Sequence, residues 1–503
     1  MRLNVSAVVG VLGALLGALG VALLAPMGVA LYYGEAEWWG FGVTALVAGG
    51  GGAGLWFTNR PQREIQIRDG FAIVALAWIV MALVGAVPFV LTGVLDSYTD
   101  AFFETISGFT TTGATILGGA DTPAIEAIPN AFLFWRSLMH WLGGMGIIVL
   151  TLAVMPLLGI GGMQLFKAEV PGPTADKLTP RVRDTATRLW GIYAGLTLVN
   201  ALLLLPEMSV FDAVNHAFST MATGGFSTEN GSLGQYGSAY VEWVTVLFMF
   251  IGGANFTLHY YALRGKPGVF WQSGEFRTYL GICLTATVLI TLALWAPTNA
   301  VLPANTGDLT EPGLTLASLL DALRIAAFQV VAVITTTGLG TSDYELWPAL
   351  GLGVLFLLFF VGGMAGSTSG GFKVLRHILL FKNAQREVHR LLHPQAIFPI
   401  RLDHRVVPPD VMRNVLSFVV LYLLLLLLGT LLLALTGLDL FSAFAATAAS
   451  VGNVGPGFGA VGPTESYAVV PAFGKWVLGL LMVAGRLEIF TLIVLLTPDF
   501  WQR

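Results

Sequence analysis

The sequence predicts an all-α polytopic membrane protein, with two leading helices followed by four tandem helix–loop–helix repeats in pseudo-fourfold arrangement. Three observations predict it. Only 11% of the 503 residues are charged, 55% are hydrophobic and mean hydropathy is +0.78, which excludes a chain of several water-soluble domains. Apolar runs of about 20 residues, enough to cross a hydrocarbon core of roughly 30 Å, recur from end to end. Four Gly/Thr-rich tracts recur between them, 111 to 117 residues apart. The single cysteine, Cys283, lies in the apolar run 281–294, so there is neither a disulfide framework nor a cysteine metal site.

Ten spans follow in order: 5–31, 36–57, 71–93, 130–158, 187–206, 238–263, 278–297, 346–381 (interrupted), 411–436 and 469–497. The first is longer than the apolar core of a signal peptide and ends in Pro26-Met27-Gly28 rather than a small-residue cleavage site, so it is read as a helix. Most of the 25 basic residues fall in 57–70, 164–188, 264–277 and 373–405, which makes those faces cytoplasmic; with an even number of spans both termini lie there too. The alternate segments 94–129, 207–237, 298–323 and 437–468 contain no lysine or arginine and carry Asp96, Asp100, Glu104, Asp121, Glu126, Glu207, Asp212, Glu229, Asp308, Glu311, Asp321, Asp439 and Glu465. This acidic outer surface concentrates cations.

Each outer segment holds a short apolar helix, too short to span, and then a tract rich in glycine and threonine. The helices run Asp100 to Phe109, Asp212 to Met221, Asp321 to Val333 and Leu440 to Ala449; the tracts are 110–114, 222–226, 335–339 and 452–457. Gly113, Gly224, Gly338 and Gly455 align as equivalents, and an Asp-Ala or Ser-Ala pair at Asp100, Asp212, Asp321 and Ser442 opens each helix.

Irregular backbone at membrane depth is tolerated only where protein buries it or it lines water, so four such tracts are expected to converge on one pore. Glycine lets carbonyl oxygens point inward with no side chain in the hole. The expected result is a stack of carbonyl rings that replaces the hydration shell of a monovalent cation, helped by the partial negative charge at the C-termini of the re-entrant helices. A single Thr-Thr-Gly tract is explained as well by close helix packing; four on the acidic side are not. An inverted-repeat transporter would show two antiparallel units, whereas all four here begin on the basic side.

The four tracts, the order of two leading spans and four repeats, Lys167-Ala168-Glu169-Val170-Pro171-Gly172-Pro173, the run Gly362 to Lys373 and Gly485-Arg486-Leu487-Glu488-Ile489-Phe490 together closely resemble the TrkH/TrkG membrane subunits of Trk-type potassium uptake systems, over essentially the whole chain. The resemblance implies a bacterial or archaeal inner-membrane subunit that carries K⁺, forms a homodimer and works with a cytoplasmic nucleotide-binding TrkA partner, which would hold the nucleotide. The expected division is residues 1–70 as the two leading helices, then repeats 71–186, 187–277, 278–405 and 406–503. The expected selectivity-filter residues are Thr110, Thr111, Thr112 and Gly113; Ala222, Thr223, Gly224 and Gly225; Thr336, Thr337, Gly338 and Leu339; and Asn453, Val454 and Gly455. Bound K⁺ is assigned to Thr111, Thr112, Thr223, Gly224, Thr336, Thr337, Asn453 and Val454. In this superfamily, serine in place of the first filter glycine accompanies sodium permeation; all four positions here are glycine, which favours potassium. The alternative within the same architecture is a Na⁺-permeable or H⁺/Na⁺-coupled symporter.

Gly362, Gly363, Gly366, Ser367, Thr368, Ser369, Gly370 and Gly371 interrupt the eighth span, and each glycine costs a helix up to about 1 kcal/mol relative to alanine, so an unwound segment is expected. In the resembling family this loop gates the pore from beneath the filter. The reading as a phosphate-binding loop fails because Phe372 separates Gly371 from Lys373 and no strand precedes. Arg486 lies within an apolar span and must face protein or water; by resemblance it projects toward the pore as a barrier to cations, while the bland reading pairs it with a carboxylate such as Glu488 or with loop carbonyls. Arg136 and His140 are expected to form interhelix hydrogen bonds, and Asn255 is a further polar group near a span. His389 and His393 have helical spacing in the basic loop 373–405 but lack an evident third ligand, and the loop itself is read as positive-inside charge that can also meet the partner or anionic lipid. No nucleophile, base and orienting group occur together, so no enzyme activity is expected, nor an organic cofactor or a nucleic-acid partner.

Overall fold

The computed structural model describes residues 3–60, 66–119, 122–153, 178–295, 316–403 and 405–501. Lys167 to Pro173, Asp121, Asp308 and Glu311 lie outside them. The chain opens with an antiparallel hairpin of Val5–Tyr33 and Trp38–Thr58. Asn4 Oδ1 accepts from the Ala7 N–H at 3.1 Å, and Gly34, in the left-handed region, ends the first helix. The glycines of the second helix let the two backbones touch: a Cβ on Gly52 would lie 2.5 Å from the Gly13 carbonyl oxygen.

Four units follow, each an outer helix, a re-entrant helix, an extended tract and a second long element. The outer helices are Ile67–Gly85 (continued by Val87–Leu91), Leu178–Leu204, Gly274–Trp295 and Pro409–Ala434. The re-entrant helices are Tyr98–Phe109, Val210–Met221, Leu316–Ile334 and Leu440–Gly452. Ser97, Ser209 and Asp439 cap the first, second and fourth, placing Asp100, Asp212 and Ser442 in the first turn, which is why the repeated pair marks their start. The third is 19 residues long rather than 12 or 13 and begins at Leu316, before Asp321, whose carboxylate meets Arg324 at 3.3 Å in mid-helix.

The second long elements differ most from the sequence reading. Only Asn130–Ala153 is a single helix. The stretch 238–263 is Ala239–Gly252 and Phe256–Leu263, bent by 101°, and 469–497 is Ala472–Arg486 and Phe490–Leu496, bent by 120°. At the first bend Asn255 caps the new helix, its Oδ1 accepting from the Thr257 N–H at 2.8 Å. At the second, Glu488 and Ile489 both take positive φ (56° and 62°), and the Phe490 N–H donates to the Glu488 carbonyl at 2.6 Å. In the third repeat Ala349–Leu358 is followed by an irregular loop and then Val374–Leu392. The expected basic loop 373–405 is therefore mostly helix, with a small antiparallel ribbon pairing Arg401–Leu402 with Arg405–Val406. Leu375 and Leu379, four residues apart, bury against Val411, Met412 and Val415.

Above the re-entrant helices the connecting segments bond in a circle. The first and second repeats join where the Ile125 N–H donates to Asn230 Oδ1 (3.0 Å), and the second and third where the Gly234 N–H donates to the Gly340 carbonyl (3.2 Å). The Gly459 N–H donates to Glu345 (2.7 Å) between the third and fourth, and the Tyr467 N–H to the Thr115 carbonyl (2.8 Å) between the fourth and first. Arg136 Nε donates to buried Glu104 at 2.7 Å and its Nη1 to the Ser227 carbonyl at 3.0 Å, clamping the first two repeats; Lys475 to Asp100 at 2.5 Å clamps the fourth to the first.

Candidate functional site

Each re-entrant helix ends in the same cap. The N–H of Thr112, Gly224, Thr337 and Val454 reaches back to the carbonyl of Ser107, Ser219, Ala332 and Ala449, at 2.8 to 2.9 Å. The residue before each, Thr111, Thr223, Thr336 and Asn453, is left-handed with φ between 52° and 56°. This is the six-to-one bond of a Schellman cap, and it fixes the register independently of sequence spacing. Two residues beyond each left-handed cap stands a second positive φ, at Gly113 (78°), Gly225 (89°), Gly338 (68°) and Gly455 (94°). The second-repeat equivalent is therefore Gly225, one residue beyond the Gly224 that spacing selects. Adjacent glycines in 224–225 hide the shift, and the substitution-sensitive position is glycine in all four repeats.

These four glycines close a ring. A Cβ built on any of them would lie 2.5 Å or less from a carbonyl oxygen of the next tract: Gly113 against Gly224, Gly225 against Thr337, Gly338 against Val454 and Gly455 against Thr112. The order runs through all four repeats and returns to the first. Alternating positive and negative φ along each tract removes the side-to-side alternation of an ordinary strand, so successive carbonyls can share a direction. The ring is backed unequally. Thr110 and Thr112 hydroxyls bond at 2.8 Å and Thr335 and Thr337 at 2.7 Å, whereas the matching positions Ala222 and Gly224 carry no hydroxyl. In the fourth tract Asn453 Nδ2 donates to Thr112 Oγ1 (3.0 Å) and to the Met482 carbonyl (2.9 Å). Ala222 and Leu339 are buried beside the ring.

On the side of the connecting segments the ring opens into a cavity of about 660 Å³, lined by Gly113, Gly225, Gly338, Glu229, Asp343 and Glu465 among others. Arg136 also lines it, but it is held by Glu104. Burial, then a hydrogen bond from Glu126 and the charges of Glu126 and Asp212, push the Glu229 carboxyl up to about 7.

On the other side lies the glycine-rich loop. The Gly362 N–H donates to the Phe372 carbonyl (2.8 Å) and the Val374 N–H to the Gly363 carbonyl (3.1 Å), closing its neck. The loop docks into the bend of the second repeat: the N–H groups of Met364 and Thr368 donate to the carbonyls of Gly253 (2.9 Å) and Gly252 (3.2 Å), and the Phe256 N–H to Gly366 (3.0 Å). Two interrupted elements thus satisfy each other's backbone, which a low-dielectric interior requires. The Gly370 N–H donates to Thr336 Oγ1 at 2.7 Å, tying loop to ring. Lys373 bonds the Ser369 carbonyl, and Ser367 and Ser369 hydroxyls bond at 2.7 Å. Arg486, 2% exposed, donates to the Thr368 carbonyl in the loop (2.7 Å) and to the Gly143 carbonyl in the first repeat (3.4 Å). Thr368 Oγ1 reaches the carbonyls of Met221 and Gly252 in the second repeat, both at 3.0 Å. All four repeats therefore meet at the Arg486–Thr368 contact, directly behind the ring. Glu488 is not the partner of Arg486; it pairs with Arg376, whose guanidinium lies 4.0 Å over Phe418.

A family model described as the TrkH cation transport protein matches residues 43–503. The chain belongs to the TrkH cation transport family. It is 43% identical to the Trk system potassium uptake protein TrkH of Salmonella typhimurium and 35% identical to TrkG of Escherichia coli, with 96% of each chain covered in both cases. The crystal structure of the potassium transporter TrkH from Vibrio parahaemolyticus matches with a TM-score of 0.87 at 39% identity, over 100% of both chains. Family and apolar helices together make this TrkH-family chain a membrane transport protein.

Several contacts of this TrkH-family chain escaped the sequence reading. Thr336, expected only as a filter residue, also ties the loop to the ring; Lys373 ties the loop to itself, Arg324 joins repeats by bonding Glu242 at 2.8 Å, and Glu275 Oε1 accepts from the Ala365 N–H at 2.7 Å. A charged residue two positions after a glycine run, before an amphipathic helix, is the signal that marks Lys373. Arg136 bonds across repeats as expected, but His140 does not: buried, it has no hydrogen-bond partner among the described residues and stacks on Phe226 at 4.2 Å. His389 sits on the exposed half of Val374–Leu392, and no group of three or more His, Cys, Asp or Glu that could hold a metal ion occurs among the described residues.

Proposed function

We propose that this chain is the potassium-translocating subunit of a Trk-type uptake system, a homodimer in the bacterial or archaeal inner membrane with both termini cytoplasmic. Its filter is the ring of carbonyls contributed by Thr111, Thr112, Thr223, Gly224, Thr336, Thr337, Asn453 and Val454. Cyclic packing of four left-handed glycines against four carbonyl oxygens is the observation that carries this reading. A monovalent cation leaving the acidic vestibule exchanges water for these oxygens, and four re-entrant helix ends favour its charge. The Gly362–Gly371 loop and Arg486 close the pathway below, and a cytoplasmic nucleotide-binding TrkA-type ring, acting on the basic surface, moves them. K⁺ is cargo.

Rb⁺ or K⁺ uptake in cells lacking their own potassium uptake tests the filter. Gly113→Ser is expected to lower preference for K⁺ over Na⁺ by about tenfold or more, because a side chain there meets the Gly224 carbonyl at positive φ; unchanged preference sinks the assignment. The vestibule gives a pH test. With its carboxyl near 7, Glu229 is ionised above neutrality and neutral below it, so external acid removes a negative charge from the mouth. The apparent KM for K⁺ should rise about two- to threefold from pH 8 to pH 6 as local attraction weakens. In Glu229→Gln, KM should sit at the acid value across that range; a wild-type pH profile in that variant would exclude Glu229.

A further inference from the structure

Each tract of the ring has something behind it. In the first and third it is a pair of threonine hydroxyls, in the fourth the Asn453 amide, and in the second, at Ala222 and Gly224, no side chain of the tract itself. The space behind Gly224 is filled instead from the first repeat. A Cβ on Gly224 would run into the His140 imidazole, with Cε1 2.7 Å away and Nδ1 and Cγ closer still. The imidazole is fully buried, bonded at neither nitrogen among the described residues, and stacked at 4.2 Å and 17° on Phe226, which the Arg136 guanidinium also meets at 4.1 Å. Helix Asn130–Ala153 brings it there by near-backbone contact: a Cβ on Gly144 would lie 2.9 Å from the Ala222 Cα, and one on Gly143 3.1 Å from Thr111 Cγ2. The helix is thus wedged between the first two tracts, and it meets the second at Ala222 through Gly144 and at Gly224 through His140.

We propose that His140 is a positioning residue for ion discrimination, its imidazole acting as the wall that holds the Gly224 carbonyl in the ring. This rests on the filter reading above. Buried polar atoms without partners are disfavoured, so hydrogen bonding does not account for the imidazole; its flat shape against a residue without a side chain does. Without that wall the Gly224 peptide can rotate into the void, and a ring with one mobile oxygen compensates the dehydration of K⁺ over Na⁺ less selectively. The positioning role predicts altered selectivity at near-normal flux, and it predicts compensation, because a methyl on Gly224 would point into the space the imidazole leaves.

The experiment measures K⁺ or Rb⁺ uptake with Na⁺ competition for four variants of the full chain, each checked for membrane assembly. His140→Ala is expected to lose about tenfold in K⁺ over Na⁺ discrimination, with the maximal rate within about twofold of wild type. Gly224→Ala alone, pressing on the ring, is expected to lose discrimination too. In His140→Ala/Gly224→Ala it should return to within about threefold of wild type, which independent damage at two sites would not give. An assembled His140→Ala with wild-type discrimination, or a double variant worse than either single, overturns the proposal. Should His140→Ala not assemble, His140→Leu is read in its place, with a loss of about threefold expected; if neither assembles, His140 is a folding residue and the proposal falls. Gly113→Ser separates the two readings: wild-type preference in it undoes the filter itself, whereas a changed Gly113→Ser beside an unchanged His140→Ala undoes only the role given to His140.

Discussion

Gly225→Ala is expected to abolish selective potassium uptake, losing roughly 100-fold, while Gly224→Ala loses much less. The two glycines are neighbours and both border the ring, but what an added methyl group meets differs. At Gly225 the backbone holds φ at 89°, where an L-residue is strained by roughly 1 to 2 kcal/mol. Its Cβ would also overlap the Thr337 carbonyl oxygen, which belongs to the adjacent tract and is itself part of the ring. Neither tract can yield, since each is fixed by its own cap: the Thr337 N–H to Ala332 bond is 2.8 Å, as is that of Gly224 to Ser219. At Gly224 φ is not positive, and the methyl meets the His140 imidazole rather than a carbonyl oxygen of the ring, so neither backbone strain nor a direct overlap with the filter is added. Ion uptake with K⁺/Na⁺ competition distinguishes the cases; if Gly224→Ala proves the more damaging, the register read from the caps is wrong and the one read from spacing is right.

That register shows where sequence stops being legible. The fourfold plan could be read because a period of 111 to 117 residues with apolar flanks leaves few architectures to choose from. Position within the second tract could not, because Gly224 and Gly225 look alike in sequence and only the cap at Thr223 tells them apart. The Gly362–Gly371 loop was legible from glycine density. The bends at Gly253–Asn255 and Leu487–Ile489 were not, because their flanks are as apolar as any continuous span and the cost of breaking the helix is met by tertiary partners: loop carbonyls and amides at the first, the Arg376–Glu488 pair at the second. The same holds for the third re-entrant helix, where Asp321 resembles a helix start but is paired with Arg324 in mid-helix. His140 was read as a hydrogen-bonding residue because its chemistry suggests that; its place against a glycine of another repeat is a three-dimensional fact.

Arg486→Ala is expected to raise ion flux about tenfold. Arg486 belongs to the fourth repeat, donates to the loop of the third and to the first, and touches the loop residue whose hydroxyl reaches the second. A group that bonds two other repeats, and reaches the second through Thr368, stands beside their common axis, on the ring side opposite the acidic cavity. For a cation held in the ring on the order of 10 Å away, a unit positive charge at an effective dielectric of about 20 raises the ion's energy by about 1.7 kcal/mol, or more than tenfold in rate. Removing it also frees the Thr368 carbonyl, so both the charge barrier and one tether of the loop go together. Arg486→Lys separates the two: it keeps the charge but loses the planar fork that reaches Thr368 and Gly143 at once, and is expected to raise flux only about two- to threefold. Arg376→Ala, which frees Glu488 at the neighbouring bend without touching the axis, should leave the charge barrier in place. Flux measured in reconstituted vesicles decides the matter, with size-exclusion profiles confirming assembly. Lower flux in an assembled Arg486→Ala would mean that the guanidinium holds the pathway open, and the closing role given to it would be reversed.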